Sequence, residues 1–186
     1  KAITFDLDGV YFPEGKKDRN IVNVGGKVED IALNSLDVEI LKILANNGRM
    51  NAVTIAQKVK ATERMVIYRM RQLEKHKVIL GYTTSLNLEK LQMQFFKATV
   101  NFNVLDTAEK NKVVSYCMGR PNIGFLIFCV GSWPLEIEFI VKDNQQFYEE
   151  MNDFRKVFPE MKGYETIIFP IEYKFDWMPL CYQAEK

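Results

Sequence analysis

Residues 36–82, LDVEILKILANNGRMNAVTIAQKVKATERMVIYRMRQLEKHKVILGY, carry three short apolar stripes at helical spacing, and three helices packed on one another bury all of them. Leu36, Ile40, Leu41 and Leu44 form the first stripe, with Asp37, Glu39 and Lys42 expected in water. Asn46, Asn47 and Gly48 stop that helix. Asn51 is placed to cap a second helix, whose Ala52, Ile55, Ala56 and Val59 repeat the i, i+3, i+4, i+7 pattern. Only Lys60 and Ala61 separate it from Thr62, a second good cap, and from a third helix with Val66, Met70 and Leu73 facing inward. Two helices joined by so tight a turn and braced by a third make a helix-turn-helix, here of the winged type.

Charge says what such a unit is for. Between Arg49 and Lys77 eight basic residues face two acidic ones, a net of +6 in a chain whose total is +1. Lysines and arginines can simply solvate an exposed helix. Their segregation onto one small unit, with a compensating acidic remainder, is instead the electrostatic footprint of phosphate binding.

The same residues carry a resemblance. Leu36-Asp37, Ile40-Leu41, Leu44, Gly48-Arg49, Ile55-Ala56, Val59, Thr62, Val66, Arg69-Met70, Leu73-Glu74, Val78-Ile79 and Gly81-Tyr82 together resemble the DNA-binding unit of the Lrp/AsnC (feast/famine) transcriptional regulators. The resemblance implies a sequence-specific regulator that binds double-stranded DNA. By helical geometry Thr62, Glu63, Arg64, Ile67, Tyr68 and Arg71 turn outward on the third helix. Arg49, Lys58, Lys60 and Lys75 add positive charge around it, and Arg69, which matches the family's arginine, is expected to anchor a phosphate. His76 reads as a solvent or phosphate contact. Lys60 and Lys77 stand where the family usually has glycine, so an unusual backbone conformation is expected at both.

A chain of 186 residues, 47% apolar and 26% charged, is long enough for one or two modest cores. No run of 18 apolar residues and no signal-peptide pattern is present, so a cytoplasmic protein without a membrane span is expected. Cys117, Cys129 and Cys181 are widely spaced with no partnering CxxC or histidine, so they read as reduced thiols, and neither a metal nor another cofactor is expected.

The first twelve residues, KAITFDLDGVYF, alternate Ile3, Phe5 and Leu7 with Thr4, Asp6 and Asp8, the period of a half-buried strand. FDLDGV also resembles the first motif of the haloacid-dehalogenase phosphotransferases, which implies Asp6 as nucleophile and Asp8 as general acid. That reading needs a parallel sheet of a hundred or more residues, and this chain turns to helix-turn-helix within thirty. The strand is expected instead to join a sheet edge, in the second half of this chain or in a partner subunit. Residues 13–27, with Pro13, Gly15, Gly25 and Gly26, read as a linker. The expected boundaries are 1–30 for the strand and linker, 31–82 for the DNA-binding domain, 83–93 for a second linker and 94–186 for an effector domain.

The second half reads as strand 95–104, helix 108–118, strand 123–130, strand 135–141, helix 144–157 and strand 164–175, with Gly131 to Pro134 as a hairpin loop. This is the ferredoxin-like βαββαβ arrangement of an α+β protein, in which two helices cover one face of an antiparallel sheet. The uncovered face is expected to carry Phe96, Phe125, Phe128, Phe139 or Phe169, and thirteen Phe and eight Tyr favour a second copy stacked upon it. A homodimer through residues 95–104 and 123–141 follows, with larger even oligomers open. In the family, small-molecule effectors lodge where such domains meet, beside a glycine that opens the central hairpin. Gly131, Ser132 and Trp133 occupy that place, although no carboxylate follows the glycine, and the loop residues equally suit packing alone. Haem-biosynthesis decarboxylases that resemble Lrp/AsnC proteins share the architecture and are the alternative function. They rely on His and Arg in the effector domain, whereas this chain has one His, His76, in its other half, so no catalytic residue is assigned.

Overall fold

A computed structural model describes residues 2–5, 21–25, 31–83, 85–170 and 177–178. The chain divides into two compact units, one of residues 1–26 and 84–171 and the other of residues 27–83 and 172–186. Asp6, Asp8 and Cys181 lie outside the described residues. Among the described residues no helix is long and apolar enough to cross a membrane.

The helical unit contains α1 (Ser35–Asn46), α2 (Ala52–Val59) and α3 (Glu63–Lys75). Ile40, Leu44, Ile55, Ala56, Val66 and Leu73 form its core, with Leu36, Leu41, Val59 and Met70 partly buried against it. The described residues of this unit form no strand where a wing was expected, and after α3 they continue as turns and an irregular segment. That segment returns to the first turn: the Tyr82 ring lies so close to Gly48 that an added Cβ would come within 3.1 Å of it, and the Tyr82 hydroxyl donates to Glu74 at 3.2 Å.

The other unit is a six-stranded antiparallel sheet of β1 (Ala2–Phe5), β2 (Ile21–Val24), β3 (Gln94–Phe102), β4 (Ile123–Phe128), β5 (Leu135–Val141) and β6 (Met161–Phe169). Its order is β2-β1-β4-β5-β3-β6. The last four places, β4-β5-β3-β6, are the ferredoxin-like order, and the helices α4 (Thr107–Met118) and α5 (Asn144–Val157) cover one face. The N-terminal strand does find a sheet edge, and it is this chain's own: β1 pairs with β4, setting Ile3 opposite Leu126, and Ile3 is buried in the core. The linker reading of residues 13–27 missed β2, whose four residues are too short to show a period; it pairs with β1 and moves the sheet edge outward by one strand.

The face assignments of the phenylalanines need correction. Phe96 and Phe139 lie on the helix-covered face, where Phe147 of α5 packs against both with ring centroids at 4.7 and 5.4 Å, and Phe128 packs on the same core. Phe125 and Phe169 remain on the opposite face by strand alternation, joined by Phe95, which stacks on Phe169 at 4.9 Å. A Phe95-Phe96 pair fills both faces at once, so composition alone cannot set the parity of the strand. The uncovered face is also less apolar than expected. Lys97 lies there between Glu136 and Glu138, at 2.9 and 3.0 Å.

Candidate nucleic-acid interface

Three capped helices give the site its rigidity. Asn34 and Asp37 form a reciprocal capping box at α1, each side chain accepting the other's backbone N–H, at 2.9 and 3.0 Å. Asn51 accepts from the Thr54 amide at 2.8 Å to start α2, and Thr62 accepts from the Met65 amide at 3.3 Å to start α3. Between these helices Lys60 adopts the left-handed conformation at φ 53° and ψ 42°. Lys77 does so at φ 57°, and the following Val78 amide reaches back to the Leu73 carbonyl at 2.8 Å. Both positions that depart from the family's glycine therefore place a lysine where glycine is favoured.

Asp37 is not wet, as its place in the sequence suggested, but wholly buried. Besides closing the capping box it receives the Arg69 guanidinium through two parallel contacts, Nε to Oδ1 at 2.6 Å and a terminal nitrogen to Oδ2. Burial by itself would raise the Asp37 carboxyl, but the Arg69 hydrogen bonds and the Asn34 amide outweigh it and hold the pKa below the usual value. The expectation that Arg69 anchors a phosphate is thus corrected: its fork is occupied within the unit, tying the middle of α3 to the start of α1. The Asn34-x-x-Asp37 spacing marks the aspartate as a capping residue, but nothing local in the sequence marks its pairing with Arg69.

The outward surface holds the remaining expected residues. Arg64, Arg71, Lys58, Lys60, Lys75, Arg49, Thr62 and Glu63 are exposed, and Ile67 is half-buried. Tyr68 is 57% exposed. Glu63, Arg64, Ile67, Tyr68 and Arg71 line one open hollow of about 430 Å³ along α3. Arg49, Lys58, Lys60, Arg64, Arg71, Lys75 and Lys77 form no ion pair among the described residues, so their charge is available to an external anion. Met65, 50% exposed beside the cap, was missed by reading the helix from its inner stripe alone. His76 ends α3 on the surface.

The effector candidates fall in the sheet unit. Gly131 has φ +150°, a conformation that side chains disfavour, and Ser132 is exposed beside it. The Trp133 indole N–H donates to Glu136 Oε1 at 2.7 Å. A carboxylate therefore does approach the hairpin, from Glu136, five residues after the glycine rather than next to it. It is already engaged: burial raises the Glu136 pKa, but Lys97 and Trp133 more than reverse this.

An AsnC-type helix-turn-helix domain model matches residues 33–74. The chain is 27% identical over 141 residues to the HTH-type transcriptional regulator LrpC of Bacillus subtilis, covering 74% of this chain and 92% of that one. It is 35% identical over 65 residues to the leucine-responsive regulatory protein of Haemophilus influenzae, covering 35% and 39% of the two chains. Among solved structures, a transcriptional regulator from Neisseria meningitidis in complex with L-Met superposes with a TM-score of 0.71 at 18% identity, over 82% of this chain and 99% of that one. The basic face of α3, unpaired among the described residues, and these relatives converge: residues 33–74 are an AsnC-type helix-turn-helix domain, in a chain similar along most of its length to Lrp/AsnC transcriptional regulators.

Proposed function

We propose that α3 enters the major groove of duplex DNA and reads sequence there, with Thr62, Glu63, Arg64, Ile67, Tyr68 and Arg71 toward the base edges and Arg49, Lys58, Lys60 and Lys75 on the phosphates. The supporting observation is the pair of exposed guanidinium groups, Arg64 and Arg71, unpaired among the described residues on a helix fixed by its Thr62 cap and by Arg69 on Asp37. Selection of bound duplexes from a random pool, followed by titration of the selected site with salt, tests this. Affinity is expected to fall steeply between about 50 and 200 mM salt. Arg64→Ala is expected to cost roughly 1 to 3 kcal/mol and to relax preference at one base pair. Equal binding of selected and random DNA by wild type and variant would overturn the base-reading role.

One such unit holds too little contact surface for tight specific binding, so the working form is a homodimer, or a larger even oligomer, joined through the sheet face of Phe95, Phe125 and Phe169. Sedimentation as a monomer at micromolar concentration would exclude it. The hairpin at Gly131, Ser132 and Trp133 is where a small-molecule effector would act, and repeating the selection with and without amino acids tests that. The relatives are named as regulators, which favours this reading over the decarboxylase alternative, and a cytoplasmic location goes with it.

A further inference from the structure

On the outer face of α3, between Arg64 and Arg71, which form no ion pair among the described residues, stands an aromatic ring. Tyr68 lies one turn beyond Arg64 and three residues before Arg71, and all three line the same open hollow. It is 57% exposed, and Met65 adds a second exposed apolar side chain near the start of the helix. The fold gives neither a role: the core beneath α3 is closed by Val66 and Leu73. A large aromatic ring left in water at the centre of a basic recognition surface has one complementary chemistry in the major groove. Arginine finds the O6 and N7 acceptors of guanine, and the apolar feature beside them is the C5-methyl group of thymine.

We infer that Tyr68 is a specificity-determining residue that packs its ring on a thymine methyl. This rests on the placement of α3 proposed above. The helix rises about 1.5 Å per residue, so Tyr68 stands roughly 6 Å along the axis from Arg64 and 4.5 Å from Arg71. Those spans correspond to one or two base-pair steps, so the thymine lies within two base pairs of a guanine on each side.

Uracil tests this directly, because it lacks the methyl and keeps every hydrogen-bonding group of thymine. In the selected duplex each thymine of a half-site is replaced singly by deoxyuridine, and affinity is measured for the full chain. Wild type is expected to lose about three- to fivefold at one position, the effect of returning one methyl to water. Tyr68→Ser is expected to bind the thymine and uracil duplexes equally, and Tyr68→Phe to restore the wild-type ratio. Wild type that tolerates every uracil, or Tyr68→Phe that is weakened as much as Tyr68→Ser, would overturn the inference, the second outcome assigning the hydroxyl to a phosphate. Salt-dependent binding without a uracil penalty removes only this inference, whereas failure to bind any duplex removes the placement of α3 with it.

Discussion

Each unit of this protein pairs some basic side chains, Lys42 and Arg69 among them in the helical unit, and leaves others in no ion pair among the described residues; the difference is that the unpaired ones of the helical unit gather around α3. In the helical unit Arg49, Lys58, Lys60, Arg64, Arg71, Lys75 and Lys77 have no carboxylate partner among the described residues. In the sheet unit Lys97 sits between Glu136 and Glu138, Lys112 on Glu109, Arg120 on Glu150 and Asp153, and Lys156 on Asp153. A cation already neutralised at short range contributes little field at a distance, while unpaired cations on one face add their fields. Residue counts alone do not separate these cases. Arg69 shows why: it lies on the helix proposed to meet DNA, yet it is paired with a carboxylate as Lys97, Lys112, Arg120 and Lys156 are.

The largest effect is expected where the helical unit breaks its own pattern. Removing Asp37 opens the α1 cap and leaves the Arg69 guanidinium without its partner. Asp37→Ala should destabilise the helical unit by about 3 kcal/mol, the lost cap adding to a broken pair whose Arg69 side chain, a quarter exposed, keeps some water and so falls below the fully buried range. Denaturant unfolding followed by circular dichroism measures it. The Asp37 pKa is depressed in the folded chain, so its contribution is complete above the unfolded value and is lost as pH falls through the lower folded value. Wild type should therefore lose stability below about pH 4, and Asp37→Asn should lose less over the same interval. An unchanged acid profile in Asp37→Asn would return Arg69 to the set of free cations.

A smaller effect tests the paired side of the comparison. Lys97→Met leaves Glu136 and Glu138 facing one another on the partly buried sheet surface. The cost should be about 2 kcal/mol, below the range for fully buried pairs because these groups keep some water. Burial pulls the Lys97 pKa down, but its hydrogen bonds to the two glutamates raise it overall, so in wild type the cation persists throughout the accessible pH range. In the variant a proton can replace it. The deficit should be greatest at neutral pH and shrink as pH falls toward 5, the opposite direction from the loss expected for wild type at Asp37. A deficit independent of pH would mean that Lys97 contributes packing alone.

How much of this was legible in sequence follows from how local each determinant is. The three helices and their caps at Asn51 and Thr62 were legible, because a cap and an i, i+3, i+4 stripe are decided within a few residues. The order of the ferredoxin-like strands was legible for the same reason, with β5 and α5 ending where their patterns end. The Asp37–Arg69 pair spans 32 residues and was not legible, nor was the approach of Glu136 to Trp133, which depends on the path of the hairpin. The parity of β3 was lost in Phe95-Phe96. The short β2 was lost because four residues supply only two alternations.

The smallest effect is the most discriminating, since stability and binding should move in opposite directions. Lys60 and Lys77 hold left-handed conformations at φ 53° and 57°, and both side chains are exposed. A residue with a Cβ loses about 1 to 2 kcal/mol there relative to the right-handed region, and glycine is spared most of that, less its greater freedom when unfolded. Lys60→Gly should thus stabilise the helical unit by about 1 kcal/mol, and Lys77→Gly by a similar amount. If Lys60 holds a phosphate, the same substitution should weaken DNA binding across all sequences and reduce the salt slope by about 1, without changing which bases are preferred. The Thr62 cap and the inner stripe of α3 are untouched, so the orientation of Arg64 and Arg71 is retained. A variant that is more stable and binds DNA with an unchanged salt slope would show that Lys60, though without a carboxylate partner among the described residues, is not directed at the phosphates. Lys77→Gly, measured in parallel, separates proximity to DNA from charge alone, because both substitutions remove one lysine and one left-handed strain but at opposite ends of α3.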